Sequence, residues 1–112
     1  ETNNRLISIN THEKYFFINS NDVEYVEASG PYSVLYLKNN KSITASKNLK
    51  YFESILTSKN FIRVGKSLIL NVLELEEIDK HDKFDKIITK LGRSIEINKK
   101  LRNELSEKLL NY

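Results

Sequence analysis

The sequence contains no cysteine, which excludes a disulfide framework and a thiolate metal site. No apolar run approaches the roughly 18 residues that a membrane-spanning helix requires. No basic segment followed by an apolar segment, the pattern of a secretion signal, opens the sequence. These absences favour a cytoplasmic protein that has no membrane partner.

The sequence is also poor in the patterns that carry catalysis. Its two histidines, His12 and His81, lie near predicted turns without the closely spaced partners that zinc requires. The acidic residues from Glu74 to Asp79 lack the alternating oxygen ligands and central glycine of a calcium loop. Gly65-Lys66-Ser67 resembles the end of a phosphate-binding loop, but Asn60 stands where that loop has its first glycine. No serine lies in a nucleophile-elbow pattern. We therefore expect no enzyme, no catalytic residue, no metal ion, no cofactor and no small-molecule substrate.

The sequence does contain enough apolar and aromatic residues for one folded core. Hydrophobic residues make up 39% of the 112 residues, including six tyrosines and five phenylalanines. Residues 1–112 are therefore predicted to form a single domain. Because the sequence begins at Glu1 without methionine, we expect a fragment that lacks an N-terminal partner domain.

The net charge of +3 conceals an uneven distribution of charge. Residues 41–66 carry six basic side chains against one acidic side chain, and residues 92–112 carry five against three. Residues 1–40 and 67–91 each have two more acidic than basic side chains. If the two basic blocks meet in space, they form a basic face, whereas a solvated lysine-rich surface is the plainer interpretation.

Most of the chain has the alternation and the β-branched and aromatic residues of strands. Turn residues separate these segments, as at Ser29-Gly30-Pro31, Asn39-Asn40 and Leu91-Gly92-Arg93. The predicted extended segments begin at Leu6 and at Lys14 and cover Val23–Ala28, Tyr32–Leu37, Lys41–Ala45, Phe61–Val64, Leu73–Ile78, Phe84–Leu91 and Ser94–Ile97.

Two segments have helical periodicity instead. Ser46 or Asn48 can cap the first helix, which should end near Thr57-Ser58, and Asn98 can cap the second, which should run from Lys99 to Leu110. The apolar stripe of the first helix consists of Leu49, Phe52 and Leu56. The stripe of the second consists of Leu101, Leu105 and Leu109. The predicted fold is mostly β, with one short inserted helix and a C-terminal helix.

Some of the turns and helix starts carry the residues that nucleic-acid binding requires. Cations meet phosphates, and short polar side chains meet base edges. The places that combine these residue types are Ser29–Ser33, Lys47-Asn48 with Lys50, Arg63–Ser67, and Asn98–Lys100 with Arg102.

A structural interpretation stands beside several of these residues. Asn98 can serve only as a helix cap, Lys50 as a solvated helix residue, and Tyr32 as a strand-edge aromatic. Arg63 can pair with a surface carboxylate. Asn71 follows three apolar residues, and we predict that it is a buried asparagine bonded to backbone groups.

The order of these motifs resembles the LytTR family of DNA-binding domains, the output modules of many bacterial response regulators. The resemblance covers residues 6–110. It is carried by DVEYVEASGPYSVLYL at 22–37, SKNLKYFESIL at 46–56, NFIRVGKSLILNVLELEEI at 60–78 and LGRSIEINKKL at 91–101. The third segment is fairly specific to the family. The other segments are weak signals when taken singly, and their order along the chain makes them a strong one.

The resemblance implies an elongated, mostly β fold of successive small sheets, which binds double-stranded DNA with loops that enter successive major grooves. It further implies paired direct repeats as the target and self-association of copies on the DNA. The base-contact candidates are Tyr32, Ser33, Lys66, Ser67, Lys99 and Lys100. The phosphate-contact candidates are Lys47, Asn48, Lys50, Arg63 and Arg102.

The sequence departs from the family pattern at some of these positions. Gly65 stands where the family usually has histidine, and Lys66 stands where it has arginine or asparagine. Asn98 and Lys99 stand where it usually has serine and then arginine. Lysine cannot make the rigid forked contact of arginine, so these changes bear mainly on base contacts. Two other functions stay open: a protein-interaction or dimerisation module with a basic face and, ranked lower, an RNA-binding module whose aromatic residues stack on unpaired bases.

Overall fold

A computed structural model describes residues 5–110. These residues form ten strands, two α-helices and two 3-10 helices. The strands are β1 (Leu6–Asn10), β2 (Tyr15–Asn19), β3 (Val23–Ser29), β4 (Tyr32–Leu37), β5 (Ser42–Ala45), β6 (Phe61–Val64), β7 (Leu68–Asn71), β8 (Leu75–Lys80), β9 (Asp85–Thr89) and β10 (Ser94–Ile97). The α-helices are α1 (Leu49–Ile55) and α2 (Lys99–Leu110), and the 3-10 helices cover Ser20–Asp22 and Val72–Glu74. The predicted mostly β fold with two helices is confirmed.

The strands form three antiparallel sheets that pack in layers. The middle sheet has the strand order β5-β4-β3-β7-β6. The two-stranded sheet β1-β2 and helix α1 cover one of its faces, and the three-stranded sheet β10-β9-β8 and helix α2 cover the other. The principal-axis extents are 42 × 35 × 24 Å, so the molecule is flattened along one direction.

Both faces of the middle sheet are buried, because successive residues of its inner strands enter two different cores. On β7, Ile69 packs with β1-β2 and α1, whereas Leu68 and Leu70 pack with the three-stranded sheet and α2. On β3, Val26 enters the first core and Tyr25 enters the second. A strand that is buried on both faces reads as a continuous apolar run, as 68–70 does in the sequence.

The two helices begin at the predicted asparagine caps. The Asn48 Oδ1 accepts a hydrogen bond from the Tyr51 N–H at 3.1 Å, and the Asn98 Oδ1 accepts one from the Leu101 N–H at 2.8 Å. Helix α1 ends at Ile55, slightly earlier than predicted. The predicted stripes of both helices are confirmed, because their members belong to the two cores: Leu49, Phe52, Leu56, Leu101, Leu105 and Leu109.

Two predicted strands have different bounds in the structure because local hydrogen bonds turn the chain: β8 is shifted by two residues toward the C-terminus, and β9 is shorter. The Asn71 Oδ1 accepts from the Leu73 N–H at 3.2 Å, which bends residues 72–74 into a 3-10 helix, and β8 begins only at Leu75. Strand β9 stops at Thr89, since its carbonyl accepts from the Gly92 N–H at 2.9 Å in the next turn.

Candidate nucleic-acid interface

One end of the middle sheet gathers the connections that carry most of the predicted contact residues. The β3–β4 turn closes there through the pairing of Ser29 with Tyr32, and β5 ends beside it because Ala45 pairs with Ser33. The β6–β7 turn lies at the same end, since the N–H of residue 28 donates to the Ser67 carbonyl at 2.8 Å. Segments distant in sequence are therefore neighbours at this end.

The first turns of α2 lie against the same end. The Gly65 N–H donates to the Glu104 Oε2 at 3.0 Å, and the Leu101 Cδ2 lies 2.5 Å from the place where a β-carbon on Gly65 would be. Lys100, the neighbour of Leu101, therefore belongs to the same region as Lys66. We call this region the loop end and define it as residues 29–33, 46–50, 65–67 and 98–101.

The β1–β2 turn borders the loop end on one side. The N–H and the hydroxyl of Ser46 both donate to the Asn10 carbonyl, at 2.9 and 3.0 Å. Beside this turn lies an open cleft of about 360 Å³, lined by Thr11, His12, Glu13, Tyr32, Thr44, Ala45 and Ser46. Sequence reasoning treated His12 only as a turn residue and missed the cleft, which is formed by segments far apart in the chain.

The loop end exposes much of the predicted contact set. Its exposed lysines are Lys47, Lys50, Lys66 and Lys100. Tyr32 is 43% exposed, and the side chain of Ser67 is also exposed. An assembly of cations with a phenol and a hydroxyl attracts a polyanion and offers hydrogen-bonding groups to it.

Ser33 does not belong to this exposed set. Its exposed fraction is 0%, because it lies on the same face of β4 as the buried Leu35, two residues further along the strand. The prediction of Ser33 as a base contact is therefore corrected: in the structure it is a core position.

Lys99 and Arg102 are engaged within the protein. The Lys99 Nζ donates to the Asp85 Oδ1 at 2.6 Å and to the His81 carbonyl at 2.5 Å, and the Arg102 Nε lies 3.2 Å from the Asp85 Oδ2. The Lys99 ammonium lowers the pKa of Asp85, the His81 N–H and Arg102 lower it further, and burial opposes them. These two predicted contact residues therefore fix the start of α2 on β9.

Arg63 also has partners within the protein. Its Nε donates to the Gly65 carbonyl at 3.0 Å, and its Nη2 donates to the Lys66 carbonyl at 3.0 Å. Its Nη1 forms an ion pair with the Glu53 Oε1 at 2.9 Å. The pairing with a surface carboxylate that the sequence left open is present, and the guanidinium also binds the β6–β7 turn.

Asn71 is buried, as predicted, with an exposed fraction of 1%. Its Nδ2 donates to the Val23 carbonyl at 3.0 Å, and its Oδ1 accepts from the Asn60 Nδ2 at 2.9 Å. It therefore joins β3, β7 and the start of β6 at the end of the sheet that lies opposite the loop end.

Comparison with known proteins identifies the family and the fold of this chain. The family model of the LytTr DNA-binding domain matches residues 13–110, which is most of the chain. The chain belongs to the LytTr DNA-binding domain family. A solved LytTr DNA-binding domain from Bacillus cereus has the same fold, with a TM-score of 0.76 and 19% sequence identity over 93% of this chain and 95% of that one. No curated protein matches the chain.

In this LytTr domain a carboxylate from α2 lies directly against the β6–β7 turn. The hydrogen bond from the Gly65 N–H lowers the pKa of Glu104, and Lys108, whose Nζ lies 3.2 Å from Glu104 Oε2, lowers it further. These interactions favour the charged form of Glu104, and the charge of Lys100 acts in the same direction. No local pattern in the sequence indicates this contact, because the donor and the acceptor are 39 residues apart.

A second basic group of the LytTr domain lies at the opposite end of the middle sheet. The Arg93 Nη1 pairs with the buried Glu24 at 3.1 Å and donates to the Leu37 carbonyl at 3.1 Å. Its guanidinium carbon lies 5.1 Å from the Tyr36 ring centroid. The two basic blocks of the sequence thus meet only in part, since Arg93 joins sheets at the far end.

Two further observations concern other partners. Across residues 5–110, neither helix is long and apolar enough to cross a membrane. The same residues contain no group of three histidine, aspartate or glutamate side chains placed to hold a metal ion.

Proposed function

We propose that the loop end binds double-stranded DNA in a sequence-specific manner, with its connections entering successive major grooves. The observation that carries this proposal is the convergence of exposed lysines from three separate chain segments at one end of the sheet, beside Tyr32 and Ser67. Phosphate attraction supplies affinity, and polar groups at the turns supply discrimination between bases.

The proposed roles follow from position and exposure. Tyr32, Lys66, Ser67 and Lys100 are the proposed base contacts. Lys47 and Lys50 are the proposed phosphate contacts, since they flank the cap of α1. The remaining candidates, which already have partners within the protein or are buried, form the framework that holds these residues: Ser33, Asn48, Arg63, Lys99 and Arg102.

The biological setting is part of the same proposal. The solved Bacillus cereus domain is named as part of a response regulator. By that likeness, the present domain is the output domain of a bacterial transcription regulator in the cytoplasm, preceded by a regulatory domain. Paired direct repeats, occupied by two copies that contact each other on the DNA, are the proposed form of target.

Selection from a random duplex pool tests the proposal, followed by titration of the selected duplex at several salt concentrations. The logarithm of the binding constant should fall linearly with the logarithm of salt, by a slope of about −0.9 for each phosphate neutralised. Lys47→Ala and Lys50→Ala should each reduce the magnitude of this slope by about 0.9. A flat salt response refutes the phosphate contacts.

Lys66→Ala tests the assignment of the β6–β7 turn, and Lys90→Ala is the matched control. Both lysines are exposed, but Lys90 lies in the β9–β10 turn, at the end of the molecule opposite the loop end, where its N–H donates to the Glu74 carbonyl at 2.9 Å. Lys66→Ala should lose sequence preference or affinity, whereas Lys90→Ala should change little. Equal effects would refute the assignment.

Competition experiments separate the other two functions. No retardation of any duplex at low salt would favour a protein-interaction or dimerisation module with a basic face. Preference for single-stranded RNA over the selected duplex would favour an RNA-binding module.

A further inference from the structure

The β6–β7 turn, residues 65–67, is held by side chains from both of its sides. On one side, the Arg63 guanidinium binds the carbonyls of Gly65 and Lys66 and pairs with Glu53 of α1. This planar fork joins two consecutive peptide groups to a helix, which a lysine in the same position could not do.

On the other side, α2 fixes the same turn. The Glu104 carboxylate accepts from the Gly65 N–H at 3.0 Å, and Lys108 links it back to β6 by donating to the Arg63 carbonyl. Leu101 packs where a side chain on residue 65 would lie. The backbone of the turn therefore has partners on both its N–H and its C=O groups before any ligand is bound.

We infer that Glu104 and Arg63 are positioning residues that fix the β6–β7 turn for DNA, so that they determine sequence selectivity more than affinity. The inference rests on the proposed function. An ordered turn does not lose further conformational freedom on binding, and it holds Lys66 and Ser67 in one orientation toward the bases. A loose turn would still attract phosphates, but it would fit many sequences almost equally.

Because Glu104 is negatively charged, its removal should change affinity in one direction and sequence selectivity in the other. A carboxylate at a cationic surface repels DNA, so its removal should strengthen binding to any duplex if charge alone matters. Its removal should weaken discrimination if the hydrogen bond to Gly65 matters. The two effects therefore appear in different measurements.

The experiment compares the selected duplex with a scrambled duplex of the same composition, and selectivity is the ratio of the two dissociation constants. Glu104→Ala should bind the scrambled duplex more tightly than the wild type does. Its selectivity should fall about tenfold, the size expected for the loss of one charge-assisted hydrogen bond.

Glu104→Gln should rescue selectivity to within about twofold of the wild type, because the amide oxygen still accepts from the Gly65 N–H while the charge is gone. Glu96→Ala, which removes an exposed carboxylate from β10, is the matched control and should leave selectivity unchanged. Unchanged selectivity in Glu104→Ala, or an equal loss in both Glu104 variants, overturns the inference.

Arg63→Lys supplies an independent measurement, because it keeps the charge and removes the fork. Selectivity should fall while the salt slope stays at the wild-type value. If Arg63 instead holds a phosphate, Arg63→Ala would reduce the magnitude of the slope by about 0.9 and Arg63→Lys would keep selectivity, which overturns its positioning role.

Two controls separate the possible failures. Circular dichroism melting confirms that each variant is folded at the temperature of the binding assay. If the wild type shows no selectivity for any duplex, the proposed function fails. If the wild type is selective and the variants remain equally so, only the positioning inference fails.

Discussion

Replacing Gly65 by alanine tests how closely α2 packs on the β6–β7 turn. Gly65 has a φ of +62°, and the Leu101 Cδ2 lies 2.5 Å from the position of the added β-carbon. The left-handed backbone costs an alanine about 1–2 kcal/mol. The Leu101 methyl must also move, and because it ends a rotatable side chain, this should cost about 1 kcal/mol, the low end for overpacking. The free energy of unfolding should therefore fall by about 2–3 kcal/mol.

Gly30→Ala is the matched control for the backbone cost. Gly30 has a φ of +59°, and no described atom lies within 4 Å of its added β-carbon. Its loss should be only about 1–2 kcal/mol. In a Leu101→Ala background, where the space beside the turn is open, Gly65→Ala should cost no more than Gly30→Ala does.

Urea unfolding followed by circular dichroism measures these losses, provided that the slope against urea concentration is the same for all variants. Equal losses at positions 30 and 65 in the wild-type background would refute the close packing of Leu101. An undiminished cost of Gly65→Ala in the Leu101→Ala background would refute it as well.

The remaining predictions concern stability. Asn71→Ala leaves the buried Asn60 amide and the Val23 carbonyl without their partner, so urea unfolding should show a loss of about 2–4 kcal/mol. Burial raises the pKa of Tyr25 to about 12, so the stability linked to its protonation is present below pH 10 and falls as pH rises from 10 to 12. Tyr25→Phe should remove that part of the alkaline decline in melting temperature. The lowered pKa of Asp85 gives stability that is present above about pH 4 and is lost at lower pH, so Asp85→Asn should flatten the acid decline in melting temperature.

Local patterns in the sequence predicted the elements well. Asn48 and Asn98 cap the two helices because a short side-chain oxygen binds free N–H groups within the same turn. Nine of the ten strands were readable in the same way, since alternation depends only on neighbouring residues. Strand β7 was not predicted as a strand, because its run 68–70 is apolar on both faces and does not alternate. The corrections at the strand ends came from hydrogen bonds such as that between Asn71 and Leu73, which compete with extension of the strand.

The roles of the charged side chains were less predictable, because they depend on contacts between distant segments. Lys99 is a cation at the start of a helix, as expected of a DNA contact. The β9–β10 register nevertheless places it beside Asp85, 14 residues away in sequence. The sequence allowed Arg63 to bind a phosphate or to pair with a surface carboxylate. Only the structure shows that Glu53 of α1 lies close enough to form this pair. Ser33 failed for a different reason: the alternation of β4 already placed it on the face of Leu35, a signal that the sequence contained.

The Arg93 contacts hold two sheets together at a place that is separate from the proposed DNA-binding surface. Arg93 ties the third sheet to the middle one through Glu24 and the Leu37 carbonyl, at the end opposite the exposed lysines. One of the contacts that hold the layers together thus lies away from the surface that would meet a ligand. Substitutions at exposed positions such as 32, 66 and 100 should therefore leave this contact between the sheets intact.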